Sequence, residues 1–338
     1  MKPADLDDDA RERILRRDIL PLYFPETELD PTPTLVLVAG QPGAGRSRAS
    51  SSLVRDAESD VAVLTGEDLR AFHPGTLHPS ASADPESAAS IAQAVAGWVS
   101  GCIRYAREQR RSLVLEGTFT NVAAVAGTAE RFATERFTTR LVVVGSRRAE
   151  SLLSVTSEYL RKMQTGDAVA LVSRDAHDEG LAATRSLVAS VEESVWADRL
   201  TVIDRGGRVI FDADRFAGSA AFAGAGAALA AAQSARMGRF DATQWLSELH
   251  HVTDFAAARR QLPAAVTELL VDLHETSLRE VIPELHVPAG GAFATAMEQK
   301  AVAALVALRK NVIPGVGPVD IAAPVVVAGG PERGGVSR

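Results

Sequence analysis

Two periodicities alternate along the first two thirds of this chain. Unbroken apolar runs at 35–39, 61–64, 113–115 and 141–144 lack polar alternation and read as strands buried on both faces. Between them the apolar positions recur every three or four residues. This spacing predicts a helix over 86–109, with Ile91, Val95, Trp98 and Ile103 on one side, and further helices over 122–136 and 148–163. At the front, 8–21 reads as an amphipathic helix with Ile14, Ile19 and Leu20 inward and Arg11, Arg13, Arg16 and Arg17 outward, broken by Pro21 and Pro25. Segment 200–203 followed by 209–211 reads as a late strand pair turning at Gly206-Gly207, and 73–85 reads as a loop. Strands that are continuously apolar and alternate with helices predict an α/β fold, a parallel sheet with helices on both faces.

The pattern then changes. Residues 217–240 are dominated by Ala and Gly and read as a helical or flexible connector. From 241 to 312 the spacing is helical throughout: Leu262, Val266, Leu269 and Leu273 share one face, which Leu278 and Ile282 extend. The Gly/Pro-rich stretch 313–338, with the strand-like run Val325-Val326-Val327, reads as a mobile tail. The organisation expected is therefore a domain over 1–216, the connector, the helical region and the tail.

Composition narrows the partners. With 46% hydrophobic and 23% charged residues the 338-residue chain has ample core material, and aromatics at 5% make that core aliphatic. A net charge of −7 argues against nucleic acid or an anionic membrane as the main partner. Cys102 is the sole cysteine, so no intrachain disulfide can form, which suits a reducing cytoplasm, the expected location. The first nine residues are acidic and contain no apolar signal core. The Ala/Gly segment approaches a membrane span in length but is too weakly apolar to insert.

The chemistry starts at the end of the first strand, where the chain reads Gly40, Gln41, Pro42, Gly43, Ala44, Gly45, Arg46, Ser47. Glycines at this spacing curl the backbone so that successive N–H groups face phosphate oxygens, and the helix that follows adds its positive N-terminal dipole. Ser47 stands where such loops place the hydroxyl that ligates Mg²⁺. Arginine at 46 replaces the usual lysine, a planar fork in place of a compact point charge. The second strand ends in Glu67-Asp68 and the third in Glu116-Gly117-Thr118, so three segments bring polar groups to the C-terminal edge of the sheet, where ligands of open parallel sheets sit. Each carboxylate alone reads as a solvated loop or cap. Arg174-Asp175-Ala176-His177-Asp178 alone reads as a solvated helical turn, His73-Pro74 as loop, and His250-His251 lacks metal-site spacing.

Together, these motifs resemble the zeta toxin family. The loop at 40–47, Glu67-Asp68-Leu69-Arg70-Ala71-Phe72-His73-Pro74, Leu115-Glu116-Gly117-Thr118 and the 174–178 segment occur in the family's order over about 8–213. The resemblance implies a P-loop kinase-like sheet and an ATP- and Mg²⁺-dependent transfer of phosphate to a sugar hydroxyl of UDP-N-acetylglucosamine. It also implies an antitoxin or other protein partner. It assigns Glu67 as the base, Arg46, Arg174 and Arg161 as charge stabilisers, and Glu116, Thr118 and His73 to the substrate. The chain departs from the family pattern at chemically important positions: Arg46 for lysine, Glu67 for aspartate, Glu158 for an arginine that Arg161 could replace, Thr120 for an arginine, and Ser100 for a sugar-binding glutamate. Two readings stay open, an active kinase and a catalytically impaired nucleotide-binding relative that acts through protein partners.

Overall fold

In the computed structural model the apolar runs pair into one sheet, described with the rest of the chain over residues 6–25, 31–55, 61–77, 85–165, 170–194, 196–218, 220–259, 262–288 and 290–310. The strands are β1 (Thr34–Ala39), β2 (Ala62–Leu64), β3 (Leu113–Gly117), β4 (Thr138–Gly145), β5 (Arg199–Asp204) and β6 (Val209–Asp214), in the order β2-β3-β1-β4-β5-β6. Leu37 of β1 lies opposite both Leu115 and Leu141, in parallel register. Alternation then sends Leu35, Leu37, Leu113, Leu115, Leu141 and Val143 to one core, and Val36, Val38, Val114, Val142 and Val144 to the other face.

The sheet is not parallel to its edge. β6 runs antiparallel to β5 because Gly206-Gly207, with Gly207 at φ +91°, turns the chain too tightly for a crossover.

The helices are α1 (Asp8–Ile14), α2 (Leu20–Tyr23), α3 (Arg46–Arg55), α4 (Gly66–Arg70), α5 (Pro85–Glu108), α6 (Val122–Thr134), α7 (Arg148–Thr165), α8 (Arg174–Ser194), α9 (Ala225–Ser234), α10 (Arg239–Ala257), α11 (Ala264–Thr276) and α12 (Ala292–Lys310). Pro21 does not end the first helical stretch, contrary to the sequence reading. A π-helical turn over Leu15–Ile19 widens the backbone just before it, and the helix resumes as α2 to Tyr23. That register buries Leu15 and Ile19. Within the loop read over 73–85, Pro74–Leu77 forms a turn of 3-10 helix.

The Ala/Gly segment does more than connect. Its α9 lies on β4 and β5, and Phe222, Ala225 and Leu229 join the main core. A Cβ at Gly145 would stand 2.7 Å from Ala232 Cβ, so small residues on both sides permit the close approach.

α10, α11 and α12 build a second core against α7. Leu152, Leu153, Val155 and Leu160 of α7 meet Trp245, Leu249, Val266, Leu269 and Leu273, and Trp245 Nε1 donates to Ala149 O at 3.0 Å. The tail at 313–338, with its strand-like run, lies outside the described residues. Among those described, no helix is long and apolar enough to cross a membrane.

Candidate active site

β1 delivers the loop at 40–47 to the C-terminal edge of the sheet. Gly43 (φ +75°) and Gly45 (φ +99°) take left-handed conformations that other residues adopt only under strain. At Gly43 the fit is also steric, since a Cβ would stand 2.2 Å from the carbonyl oxygen of Ser151 on α7. Gln41 is fully buried and anchors the loop, donating through Nε2 to Ser146 O at 2.7 Å and Ser151 Oγ at 3.3 Å. Pro42 and Ala44 are buried, and α8 closes over the loop at Gly180, where a Cβ would meet Pro42 Cδ at 2.8 Å and Thr118 Cγ2 at 2.7 Å. Gly40 sits close under the loop, its would-be Cβ 3.2 Å from Ala44 Cβ.

Two side chains leave this loop toward β3. Arg46 Nη1 donates to Thr118 Oγ1 at 3.1 Å, and the Ser47 hydroxyl donates to Glu116 Oε2 at 3.2 Å. Burial lowers the Arg46 guanidinium from its ordinary range, against the opposing fields of Glu116 and Glu67. The end of β3 is itself strained. Phe119 takes φ +53°, and its ring lies where a Cβ on Gly117 would stand 2.6 Å away, so Gly117 admits Phe119 and Thr118 is held pointing at Arg46.

β2 delivers the third group. Thr65 caps α4, its Oγ1 accepting from Asp68 N at 3.0 Å, which sets Glu67 in the first turn at the sheet edge. Glu67 Oε1 accepts from Lys162 Nζ, and Lys162 also pairs with Glu158 at 2.9 Å. Burial would lower the Lys162 ammonium, but the bonds to Glu67 and Glu158 outweigh it and raise its pKa. The positive group that α7 brings to Glu67 is thus Lys162. Arg161, nominated from the sequence, points the other way and pairs with Glu248 of α10 at 2.5 Å.

Neither Arg174 nor His73 makes a hydrogen bond to the described residues of the loop. Arg174 is exposed at the start of α8 and pairs with the adjacent Asp175 at 3.5 Å. His73 is fully buried beside Trp98, ring centroids 6.0 Å apart, and its Nδ1 accepts from Gly75 N at 3.0 Å. Burial, then Arg70 and Arg11, lower its pKa and keep it neutral.

The 174–178 motif acts through His177 instead. Asp178 Oδ1 lies 3.0 Å from His177 Nδ1, and a carboxylate there makes Nδ1 the protonated nitrogen. His177 Nε2 then accepts from the Ser151 hydroxyl at 2.9 Å. Burial lowers the imidazole's pKa despite Asp178, so it stays neutral. Asp178 also binds Arg148 through both oxygens, at 2.8 and 2.9 Å, and Arg148 reaches Asp272 of α11 at 2.7 Å. A continuous relay therefore runs from Gln41 in the loop through Ser151, His177, Asp178 and Arg148 to the helical region. Ser151, His177 and Asp178 are connected like a hydrolytic triad, but Ser151 is fully buried and Gln41 donates to its oxygen, so it is a strut.

Arg205 went unnoticed in the sequence, although it follows β5 at the ligand-binding edge. Its Nη1 donates to Gly43 O at 2.6 Å and its Nη2 to Ser154 Oγ at 2.6 Å, clamping the loop to α7.

A phosphate cradle between a strand and a helix, at the C-terminal edge of a parallel sheet and faced by carboxylates, defines a P-loop ATP-binding phosphotransferase. The zeta toxin family model matches residues 24–215, more than half of the 338 residues, and the chain belongs to that family. A solved structure from the PezAT chromosomal toxin-antitoxin system of Streptococcus pneumoniae shares the fold, with a TM-score of 0.63 at 16% identity over 75% of this chain and 100% of that one. No curated protein matches the chain.

Proposed function

We propose that this chain transfers the γ-phosphoryl group of ATP to a sugar hydroxyl of UDP-N-acetylglucosamine or a similar small acceptor. The observation that carries the reading is the convergence at one edge of the Arg46–Thr118 pair, the Ser47–Glu116 pair and the Glu67–Lys162–Glu158 cluster. Loop N–H groups at 40–47 hold the phosphates. Glu67 takes the proton of the acceptor hydroxyl as that oxygen bonds to phosphorus and the bond from phosphorus to the ADP oxygen breaks. Arg46 and Lys162 offset the charge gathering on the transferred oxygens.

The residues present fit a magnesium ion. Ser47 Oγ and Glu116 Oε2, 3.2 Å apart, are hard oxygen donors beside the cradle, and magnesium needs few protein groups when phosphates complete its shell. Bound there, the ion would neutralise phosphate charge. An antitoxin is the protein partner proposed, since the solved neighbour comes from a toxin-antitoxin system. The cytoplasm is the compartment that supplies both ATP and a nucleotide sugar.

A second reading has its own support. Arg161 is held by Glu248, and Glu158 replaces the family's arginine, so the acceptor side lacks a free guanidinium from α7. The chain would then bind nucleotide without turning it over. ATP consumption with and without UDP-N-acetylglucosamine, with the product phosphate mapped by NMR, separates the two. Acceptor-dependent ADP release supports the kinase. Nucleotide binding without ADP release supports the second reading.

A further inference from the structure

α12 is apolar on two sides. From Ala301 to Leu308 it reads Ala-Val-Ala-Ala-Leu-Val-Ala-Leu, with no polar residue. One side is spent on the helical core: Ala301, Leu305 and Leu308 are buried. The other side is open, with Val302 and Val306 half exposed and Ala303 and Ala307 exposed beside them. A helix that is apolar all round belongs in an interior, so this second face is built to be covered.

Next to the two valines the face dips into a cavity of about 670 Å³, walled by Ala303, Ala304 and Ala307 of α12 and by Ala256 and Ala257 of α10. Walls this short leave room that the large side chains of an incoming helix would fill. The cavity lies wholly beyond the residues that the family model matches.

Charge selects the helix. Lys300 and Lys310 flank the apolar run, about 15 Å apart at 1.5 Å per residue, and both are exposed at the cavity. The neighbouring Arg309 is already paired with Glu275 at 2.7 Å. Among the lining residues Asp254 is the single carboxylate, and Arg259 adds a third cation. A partner therefore needs acids at both ends of its apolar stretch. A second copy does not supply them. Antiparallel pairing of two α12 helices sets Lys300 against Lys310 at each end, and parallel pairing sets each lysine against itself. Residues 311–338 hold two acids and two arginines, a balanced set for which the basic rim has no preference.

We propose that this face of α12 docks an amphipathic helix of a partner protein, apolar along its middle and acidic at both ends. Its large side chains enter the cavity between α10 and α12, and its acids meet Lys300 and Lys310.

Two helical peptides of about 18 residues test this on the full chain, each with leucines at i, i+3, i+4 and i+7 of its middle. One carries two glutamates at each end, the other two lysines. The acidic peptide is expected to bind with a Kd on the order of 10 μM, at least about tenfold tighter than its twin, and to weaken as salt is raised. Methyl resonances of Val302, Ala303, Val306 and Ala307 should shift. Ala307 is exposed, so Ala307→Glu carries little risk to the fold and should abolish binding. Lys300→Glu together with Lys310→Glu should reverse the preference between the peptides. Equal affinities, no binding at millimolar peptide, or binding that survives Ala307→Glu would overturn the proposal. So would a dimer of the chain alone that Ala307→Glu dissolves in sedimentation, which would assign the face to a second copy. A shift of the same methyl resonances on Val326→Asp without peptide would assign it to the chain's own tail, and equally overturn the proposal. None of these readouts depends on nucleotide binding or turnover.

Discussion

Arg46 and Glu67 face each other across the sheet edge, each already engaged by the protein. Arg46 holds Thr118 Oγ1, and Glu67 holds Lys162. Arg46→Lys would place a compact ammonium in the loop but leave Glu67, Glu158 and Lys162 unchanged. The expected result is that nucleotide still binds and phosphotransfer, followed by coupled ADP release, changes less than about tenfold, since the groups that shape the acceptor side are independent of the loop. A larger gain would show that the arginine alone limits the rate. Glu67→Gln keeps the side-chain size and removes the basic oxygen. It should abolish acceptor-dependent turnover with nucleotide affinity nearly unchanged by calorimetry. Activity within a few-fold of the parent would move the base to Asp68 or Glu116.

At the scale of elements, the loop is fixed by what packs on it. Gly43→Ala forces a Cβ against the Ser151 carbonyl, where 2.2 Å is available, and demands a strained φ. The loop or α7 must move, and chemical denaturation should show a loss of about 2–4 kcal/mol together with weaker nucleotide binding. The loop itself was legible in the sequence because its glycines, its strand and its helix are contiguous. Glu116 and Thr118 were legible for the same reason, as the end of an apolar run. Lys162 was not, because helical spacing alone does not say which face of α7 meets Glu67; packing of α10 decides that by drawing Arg161 to Glu248. The 174–178 segment looked like a solvated turn because Ser151, the partner of His177, and Arg148, the partner of Asp178, are about one helix away in sequence. Pro21 misled the reading of the first helix because a π-helical turn has no signature in hydrophobic spacing. The strand alternation of β1, β3 and β4 was explicit, since a doubly covered strand has no polar positions to confuse it.

Over the whole molecule, buried neutral histidines tie stability to pH. Burial, helped by His250 and Lys300 and opposed by Asp254, lowers the pKa of His274 from 6.5 to about 4. The unfolded chain therefore binds this proton first as pH falls. The stabilising contribution is complete above pH 6.5 and is lost as pH drops from there through about 4, by on the order of 3 kcal/mol. His73, His177 and His250 are also lowered by burial, so they act with the same sign. Urea midpoints measured across this window should fall with pH, and His274→Phe should flatten part of the slope.

α7 serves both halves of the molecule, with Val155 and Leu160 in the helical core and Ser151 and Ser154 bracing the phosphate loop. The chain carries built-in reporters of that sharing, for Trp98 and Trp196 sit in the sheet core and Trp245 in the other. A helix common to both cannot melt for one and persist for the other. Heating should therefore give a single midpoint whichever tryptophan is left to report. An ATP analogue at 100 times its Kd stabilises the folded state by about 2.7 kcal/mol, and Trp245, in the helical core, should register the same upward shift as Trp98.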